Sequence, residues 1–176
     1  MIVPYHVIEE LGISKNLACN FSIAFARFEY ALKAMGYVQE GEAYAKPNWE
    51  LWAKDPNRRF AFTGLLQQPQ SDQAQKARSA YDYISIAPPK KQKWNSTKKE
   101  LYWDDTCPLQ GRSELENMVD ALKRMRNNFF HGGKFLTSDS TNEPRDLRNK
   151  RLLIHGLALL DAMLTLDTDL SFAFYH

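Results

Sequence analysis

Residues 113–134 read SELENMVDALKRMRNNFFHGGK, and this stretch decides the fold class that the sequence predicts. Ser113 followed three residues later by Glu116 forms a capping box, which is typical of a helix start. Two consecutive glycines, Gly132 and Gly133, can end the helix. Apolar residues recur between these signals at three- and four-residue steps, the spacing of one helix face: Leu115, Met118, Val119, Leu122, Met125 and Phe129. The sequence therefore predicts an amphipathic helix from about Ser113 to His131.

Three further helices are predicted from the same kind of spacing. The first covers about residues 14–35, with Ser14 as N-cap and Gly36 just after its end. The next covers about residues 71–86. The last begins near residue 144 and reaches about residue 166, and it is apolar on nearly every side. Such a helix is either central to the domain or shared with a partner subunit.

The segments between these helices are of two kinds. Residues 41–70 are interrupted by prolines and Gly64, so we expect short helices there, one of them near Pro47 and packed through Trp49 and Trp52. Residues 88–111 are predicted as a long basic loop, and no convincing strand pattern is found in the chain. The expected fold is all-α: a single domain over residues 1–176, with four main helices, short extra helices and a basic loop insertion.

Composition narrows the function classes. The formal net charge is only +2, so any nucleic-acid footprint must be local. Cys19 and Cys107 are far apart and have no metal-ligand spacing, which favours a reducing, cytoplasmic location. The first residues do not resemble a signal peptide, and no apolar run reaches the ~18 residues that a membrane span needs. We therefore expect no membrane association, and we expect neither a bound metal nor a cofactor.

Candidate chemistry lies where arginine and histidine recur at short spacing. Three arginines precede a histidine with four to six residues between them: Arg124 and Arg126 before His131, and Arg148 before His155. Arginine can bind and neutralise a phosphodiester, and histidine moves protons near neutral pH. These are the two capacities that RNA cleavage without a metal requires. The pattern is common by chance, so the helix faces have to separate the three pairs.

The helix faces single out Arg126. It follows Leu122 by four residues and therefore lies on the apolar stripe, where an unpaired charge would be costly, whereas Arg124 falls off the stripe and is expected at the surface. His131 would lie at the helix C-terminus, where the dipole favours the imidazolium. The alternative is structural: Arg126 pairs with an internal acid such as Glu29, and His131 only caps the helix. For Arg148 and His155 a capping or salt-bridge role is the simpler interpretation.

Basic and aromatic residues are interleaved in the predicted loop. Lys90, Lys91 and Lys93 precede Trp94, a pattern that suits a phosphate backbone and stackable bases. Lys134 would add positive charge beside His131. We expect these five residues to bind RNA. The alternative is a solvated loop whose aromatic residues dock on the core.

The string RNNFFHGGK at residues 126–134 resembles the signature of the HEPN superfamily, in which an arginine is followed by a polar neighbour and, four to six residues on, by a histidine. The early segment RFEYALK at residues 27–33 is similar to the first helix of several bacterial HEPN families. The resemblance implies a metal-independent endoribonuclease of the toxin or defence type, with its site at a homodimer interface and with an antitoxin protein as a partner. It also implies the roles: Arg126 holds the scissile phosphate, Asn127 orients the phosphate or the histidine, and His131 serves as general acid or base for attack by the 2′-OH.

One position departs from part of the family. Toxins that are neutralised by nucleotidyltransferase antitoxins often carry a tyrosine two residues after the histidine, where this chain has Gly133. That style of control is therefore not expected. Two other functions stay open: a non-catalytic HEPN-like module that binds RNA or a protein, and a plain helical interaction domain in which Arg126 forms a structural salt bridge.

Overall fold

A computed structural model describes residues 13–41, 44–68, 70–104, 108–109, 111–130 and 145–176. Within these ranges the chain is predominantly helical, with one antiparallel pair of strands. The elements in chain order are α1 Lys15–Ala34, α2 Trp49–Ala53, α3 Pro56–Gln67, α4 Asp72–Ile86, β1 Lys91–Asn95, β2 Glu100–Asp104, α5 Glu114–Phe130, α6 Arg145–Leu164 and α7 Thr168–Tyr175. The helical class is as predicted, and α1, α4, α5 and α6 correspond to the four main helices.

Helix α1 begins and ends at the residues that the sequence indicated. The Ser14 hydroxyl accepts a hydrogen bond from the amide of Leu17 (3.3 Å). Gly36 adopts a φ of 80°, and its amide donates to the carbonyl of Lys33 (3.0 Å). The amide of Tyr37 donates to the carbonyl of Leu32 (2.9 Å), which completes a Schellman motif. Both end signals are local, so they are readable without knowledge of the tertiary fold.

Aromatic residues from α1 and α2 form one end of the core. Phe28 stacks on Trp49 with ring centroids 4.8 Å apart and an interplanar angle of 4°, and it meets Trp52 edge-on. Both tryptophans are buried, as their predicted packing role requires. The Nε1–H of Trp52 donates to Asp167, which also accepts from Arg58 and caps α7. Helix α7 is thereby joined to α2 and α3.

Helix α6 is central, which is one of the two placements that its apolar sequence predicted. It packs against α4, α1, α5 and α7. Gly156 permits close contact with two of these helices, because a Cβ at this position would lie 2.8 Å from the ring of Phe21 on α1 and 3.1 Å from the sulfur of Met125 on α5. A side chain there would displace the ring of Phe21 and crowd the sulfur of Met125. The helix that carries Arg126 is therefore held against the core by α6.

The basic segment contains a β-hairpin, so the prediction of a strand-free chain was wrong. Strand β1 pairs antiparallel with β2, from Lys91 opposite Asp104 to Asn95 opposite Glu100. The turn contains no glycine that would have predicted it, because Lys99 takes the left-handed conformation (φ 54°). The side chain of Asn95 accepts hydrogen bonds from the amides of Thr97 and Lys98. Much of each strand is exposed, so no apolar alternation marks it either.

Candidate functional site

Helix α5 begins with the predicted capping box. The Ser113 hydroxyl accepts from the amide of Glu116 (3.3 Å) and donates to its carboxylate (3.0 Å). The apolar stripe faces the core as expected, with its last member, Phe129, half-buried. The stripe fixes the rotation of the helix, so the polar residues of its last two turns occupy defined positions around it.

Arg124 is buried, with 5% of its surface exposed, so the prediction that it lies at the surface was wrong. Its guanidinium donates to the carboxylate of Asp120 (2.7 Å) and to the carbonyls of Pro108 (2.7 Å) and Pro89 (3.5 Å). The segments at either end of the hairpin supply these carbonyls and cover this side of α5. Periodicity within α5 alone contains no information about that cover.

Two more buried side chains hold the same segment. Asn128 donates to the carbonyl of Lys90 (2.9 Å), and Arg148 of α6 donates to the carbonyl of Pro88 (3.1 Å). We refer to Arg124, Asn128 and Arg148 as the polar junction. Carbonyls at 88–90 precede β1, so the sheet does not pair them, and buried carbonyls need a donor. The polar junction therefore supplies those donors and fixes the hairpin to α5 and α6.

Arg126 is in a different environment. It was expected on the inward face, but its side chain is partly exposed. Its guanidinium donates to the side-chain oxygen of Asn127 (3.2 Å) and lies 5.2 Å from the ring centre of Phe130, which is 52% exposed. Among the residues that the structure describes, no carboxylate forms an ion pair with Arg126, so the alternative pairing with Glu29 is not observed.

A cleft of about 340 Å³ separates β1 from the last turns of α5. We call it the hairpin cleft. Strand β1 contributes Lys91 and Gln92, and α5 contributes Asp120, Lys123, Arg124, Asn127 and Asn128. The cleft thus brings together Asn127 from the arginine–histidine motif and Lys91 from the basic segment, two residues that the sequence singled out separately. Because Asn127 also contacts Arg126, it joins this cleft to the candidate catalytic arginine.

Lys123 and Gln92 line the hairpin cleft but were not among the predicted site residues. Lys123 lies four residues before Asn127, so helix spacing could have placed both on one side of α5. Its ammonium pairs with Glu50 of α2. Partial burial opposes the ionised form of Glu50, yet the hydrogen bond from Lys123 holds the pKa of that carboxyl below its usual value. Gln92 carried no signal, because the hairpin itself was not predicted.

The basic segment is less uniform than its sequence. Lys91 is exposed at the rim of the hairpin cleft, whereas Lys93 is half-buried and pairs with Asp104 of β2 (2.5 Å). Lys90 is half-buried, and its carbonyl is held by Asn128. Trp94 is 58% exposed and so does not dock on the core. Lys91 is thus the lysine of this group that is placed beside Asn127.

The remaining arginine–histidine pair separates into two structural roles. Arg148 belongs to the polar junction, whereas the ring of His155 packs at a tilt against Tyr83 of α4, with ring centres 4.6 Å apart. Burial lowers the pKa of His155 below its usual value, and the nearby Arg151 lowers it further. A neutral imidazole packed between α4 and α6 is what these contacts favour. His131 and Lys134 lie outside the described residues, so their roles remain predictions.

Comparison with protein-family models, with curated proteins and with solved structures found no match for this chain. Over the described ranges, no group of three or more histidine, cysteine, aspartate or glutamate side chains is placed to hold a metal ion. In the same part of the chain, none of the helices is both long and apolar enough to cross a membrane. The residues of α5 and the hairpin are therefore the features from which a function can be inferred.

Proposed function

We propose that this chain is a HEPN-like endoribonuclease that cleaves RNA without a metal ion. The observation that carries the proposal is the exposure of Arg126 and the set of groups that it contacts. Its guanidinium is partly exposed at the end of α5, contacts an amide and an aromatic ring, and has no carboxylate partner among the described residues. A guanidinium in this position can bind a phosphodiester without first breaking an ion pair.

The proposed reaction is a transesterification that expels the downstream fragment through its 5′ oxygen. A histidine takes the proton of the ribose 2′-OH, and the 2′ oxygen attacks the adjacent phosphorus while the bond to the 5′ oxygen breaks. The products carry a 2′,3′-cyclic phosphate and a 5′-hydroxyl. Arg126 stabilises the charge that grows on the phosphoryl oxygens, and Asn127 holds its guanidinium. His131 supplies the base, and His131 of the partner subunit protonates the leaving oxygen.

This scheme needs a homodimer, which we propose is built on α5 and α6. Support comes from apolar residues that these helices leave exposed, Phe130 on α5 and Leu147 and Ile154 on α6. Leu147 and Ile154 are seven residues apart and therefore lie on one side of α6. A biological interface should bury more than about 1,000 Å² in total. Light scattering that shows only monomer at micromolar concentration would remove the shared site.

The test uses the purified full chain, mixed cellular RNA and excess EDTA. We expect cleavage that leaves cyclic-phosphate ends, and we expect His131→Ala to abolish it because the proton acceptor is removed. His176→Ala is the matched control, since it removes an exposed histidine at the end of the chain. Cleavage that persists in His131→Ala, or that disappears from the unaltered protein when EDTA is added, contradicts this mechanism.

A non-catalytic RNA-binding module is the second candidate, and the hairpin cleft favours it. The cleft combines Lys91, Lys123 and Asn127 and does not depend on His131. RNA binding without cleavage under any condition would support this function. A cytoplasmic location and an antitoxin that covers the motif belong to the ribonuclease proposal only.

A further inference from the structure

We infer that the hairpin cleft is a subsite for one nucleotide of a single-stranded RNA, next to the phosphodiester that Arg126 would hold. The inference rests on the proposed function for the identity of that neighbouring phosphodiester. It does not rest on catalysis, because a subsite binds RNA whether or not the strand is cut. The subsite is formed by residues of the hairpin, Lys91 and Gln92, together with Asn127 of the arginine–histidine motif.

The walls of the hairpin cleft are fixed. Asn128 and Arg124 bind the carbonyls of Lys90 and Pro89 immediately before β1, and both side chains are more than nine-tenths buried. Strand β1 is therefore held at a set distance from α5. A cleft whose walls are held in this way loses little conformational entropy when it binds a ligand.

The chemistry of the lining suits a nucleotide. Lys91 offers an exposed ammonium to a phosphate, and Lys123 adds a second positive charge that Glu50 partly offsets. Gln92 and Asn127 carry amides, which donate and accept hydrogen bonds as base edges do. Asp120 is the acidic residue of the lining, and its carboxylate is already bound by Arg124. The lining is therefore positive and rich in hydrogen-bonding groups.

The size of the hairpin cleft selects a single strand. Its volume of about 340 Å³ lies at the low end of the ~300–1,000 Å³ range of small-molecule pockets. It has room for one nucleotide whose base has left the stack, and no room for a duplex. Single-stranded RNA presents such bases, whereas double-stranded RNA keeps them paired. Asn127 lines the cleft and accepts a hydrogen bond from Arg126, so the candidate catalytic arginine lies next to this subsite.

The test measures binding by fluorescence anisotropy with a short 2′-O-methyl RNA, which lacks the attacking hydroxyl and cannot be cut. We expect the single strand to bind at least about tenfold tighter than a duplex of the same sequence. Lys91→Ala should weaken binding and lower the slope of log affinity against log salt by about 0.7, the value for one phosphate contact on a single strand. Lys98→Ala removes the same charge from the exposed turn of the hairpin, outside the cleft, and should leave the slope unchanged.

A second pair of variants tests the cleft without removing a lysine. Gln92→Glu keeps the shape of the side chain and adds a negative charge, so it should weaken single-strand binding by about tenfold or more. Gln70→Glu adds the same charge at an exposed position before α4 and should have no effect. Equal binding of duplex and single strand, or equal effects of each variant and its control, overturns the subsite. If these binding effects appear but cleavage in EDTA does not, the subsite stands and the ribonuclease proposal falls.

Discussion

Arg124 and Arg126 lie two residues apart on α5, but their side chains are in opposite environments. Arg124 is buried in the polar junction and binds a carboxylate and two carbonyls, whereas Arg126 is partly exposed and, among the described residues, contacts a neighbouring amide and ring. Both precede His131 with a spacing that fits the same motif. The difference shows that spacing alone does not identify a functional arginine; what matters is which groups already occupy its donors.

The largest expected effect on stability is that of Arg124→Met. The substitution keeps an apolar stem but leaves Asp120 and the carbonyls of Pro89 and Pro108 without this donor. A buried unsatisfied group such as the carbonyl of Pro89 costs about 1–3 kcal/mol, and Asp120 also loses a charged hydrogen bond. We expect a loss of roughly 2–4 kcal/mol, which lowers the melting temperature by about 5–12 °C in a domain of this size. Thermal unfolding followed by circular dichroism measures it.

The matched control is Arg112→Met at the start of the same helix. Arg112 is exposed, so its loss should change the free energy of unfolding by less than about 0.5 kcal/mol. Equal melting temperatures for the two variants would show that the polar junction does not hold the hairpin, and the contrast between the two arginines would disappear.

A smaller loss of stability is expected from Asn128→Ala, compared with Asn127→Ala. The first removes a buried donor from the carbonyl of Lys90 and should cost about 1–2 kcal/mol. The second removes an exposed side chain and should cost less than about 0.5 kcal/mol. Chemical denaturation of the two single variants compares adjacent asparagines of one helix. A larger loss of stability in Asn127→Ala than in Asn128→Ala would contradict the assignment of Asn128 to the buried, structural face of α5.

The smallest expected effect is on the pH dependence of stability and concerns His155, whose contacts indicate a structural role. Because its pKa in the folded protein is lowered, the unfolded chain binds more protons at and below the usual value of 6.5. Stability is therefore full above pH 6.5 and falls as the pH drops from there towards the lowered pKa. His155→Phe keeps the ring contact with Tyr83 and should reduce this decline between pH 7 and pH 5.

Urea unfolding at several pH values measures that decline, with His176→Phe as the control. RNA cleavage at pH 7 should be unchanged in His155→Phe. A loss of cleavage would mean that the pair Arg148–His155 takes part in chemistry, against the structural roles that both residues have here.

Local signals explain which parts of the fold were predictable. The caps of α1 and the start of α5 are determined by residues that lie within a few positions of the helix ends. Ser14, Gly36 and the capping box at Ser113 could therefore be recognised directly from the sequence. The hairpin could not, because Lys99 occupies a position where glycine is usual and none of the strand residues is fully buried.

The candidate site was predictable only in part, for a reason of distance along the chain. Asn127 and Lys91 were recognised separately, but the contact that places them at one cleft depends on Asn128 reaching the carbonyl of Lys90, far away in sequence. The burial of Arg124 depends likewise on Pro89 and Pro108. Helical periodicity reports on a helix and its own faces, and it cannot report what another segment places against them.

The most direct test of the difference between the two arginines is RNA cleavage in EDTA by Arg126→Ala, measured beside the thermal melt of the same sample. We expect cleavage to fall by at least about 10²-fold, because the variant loses the charge that stabilises the transition state. We also expect the melting temperature to stay close to that of the unaltered protein, since within the described part of the chain Arg126 contacts a neighbouring amide and an exposed ring and no carboxylate. Full cleavage, or a melting temperature lowered as much as in Arg124→Met, would contradict this account.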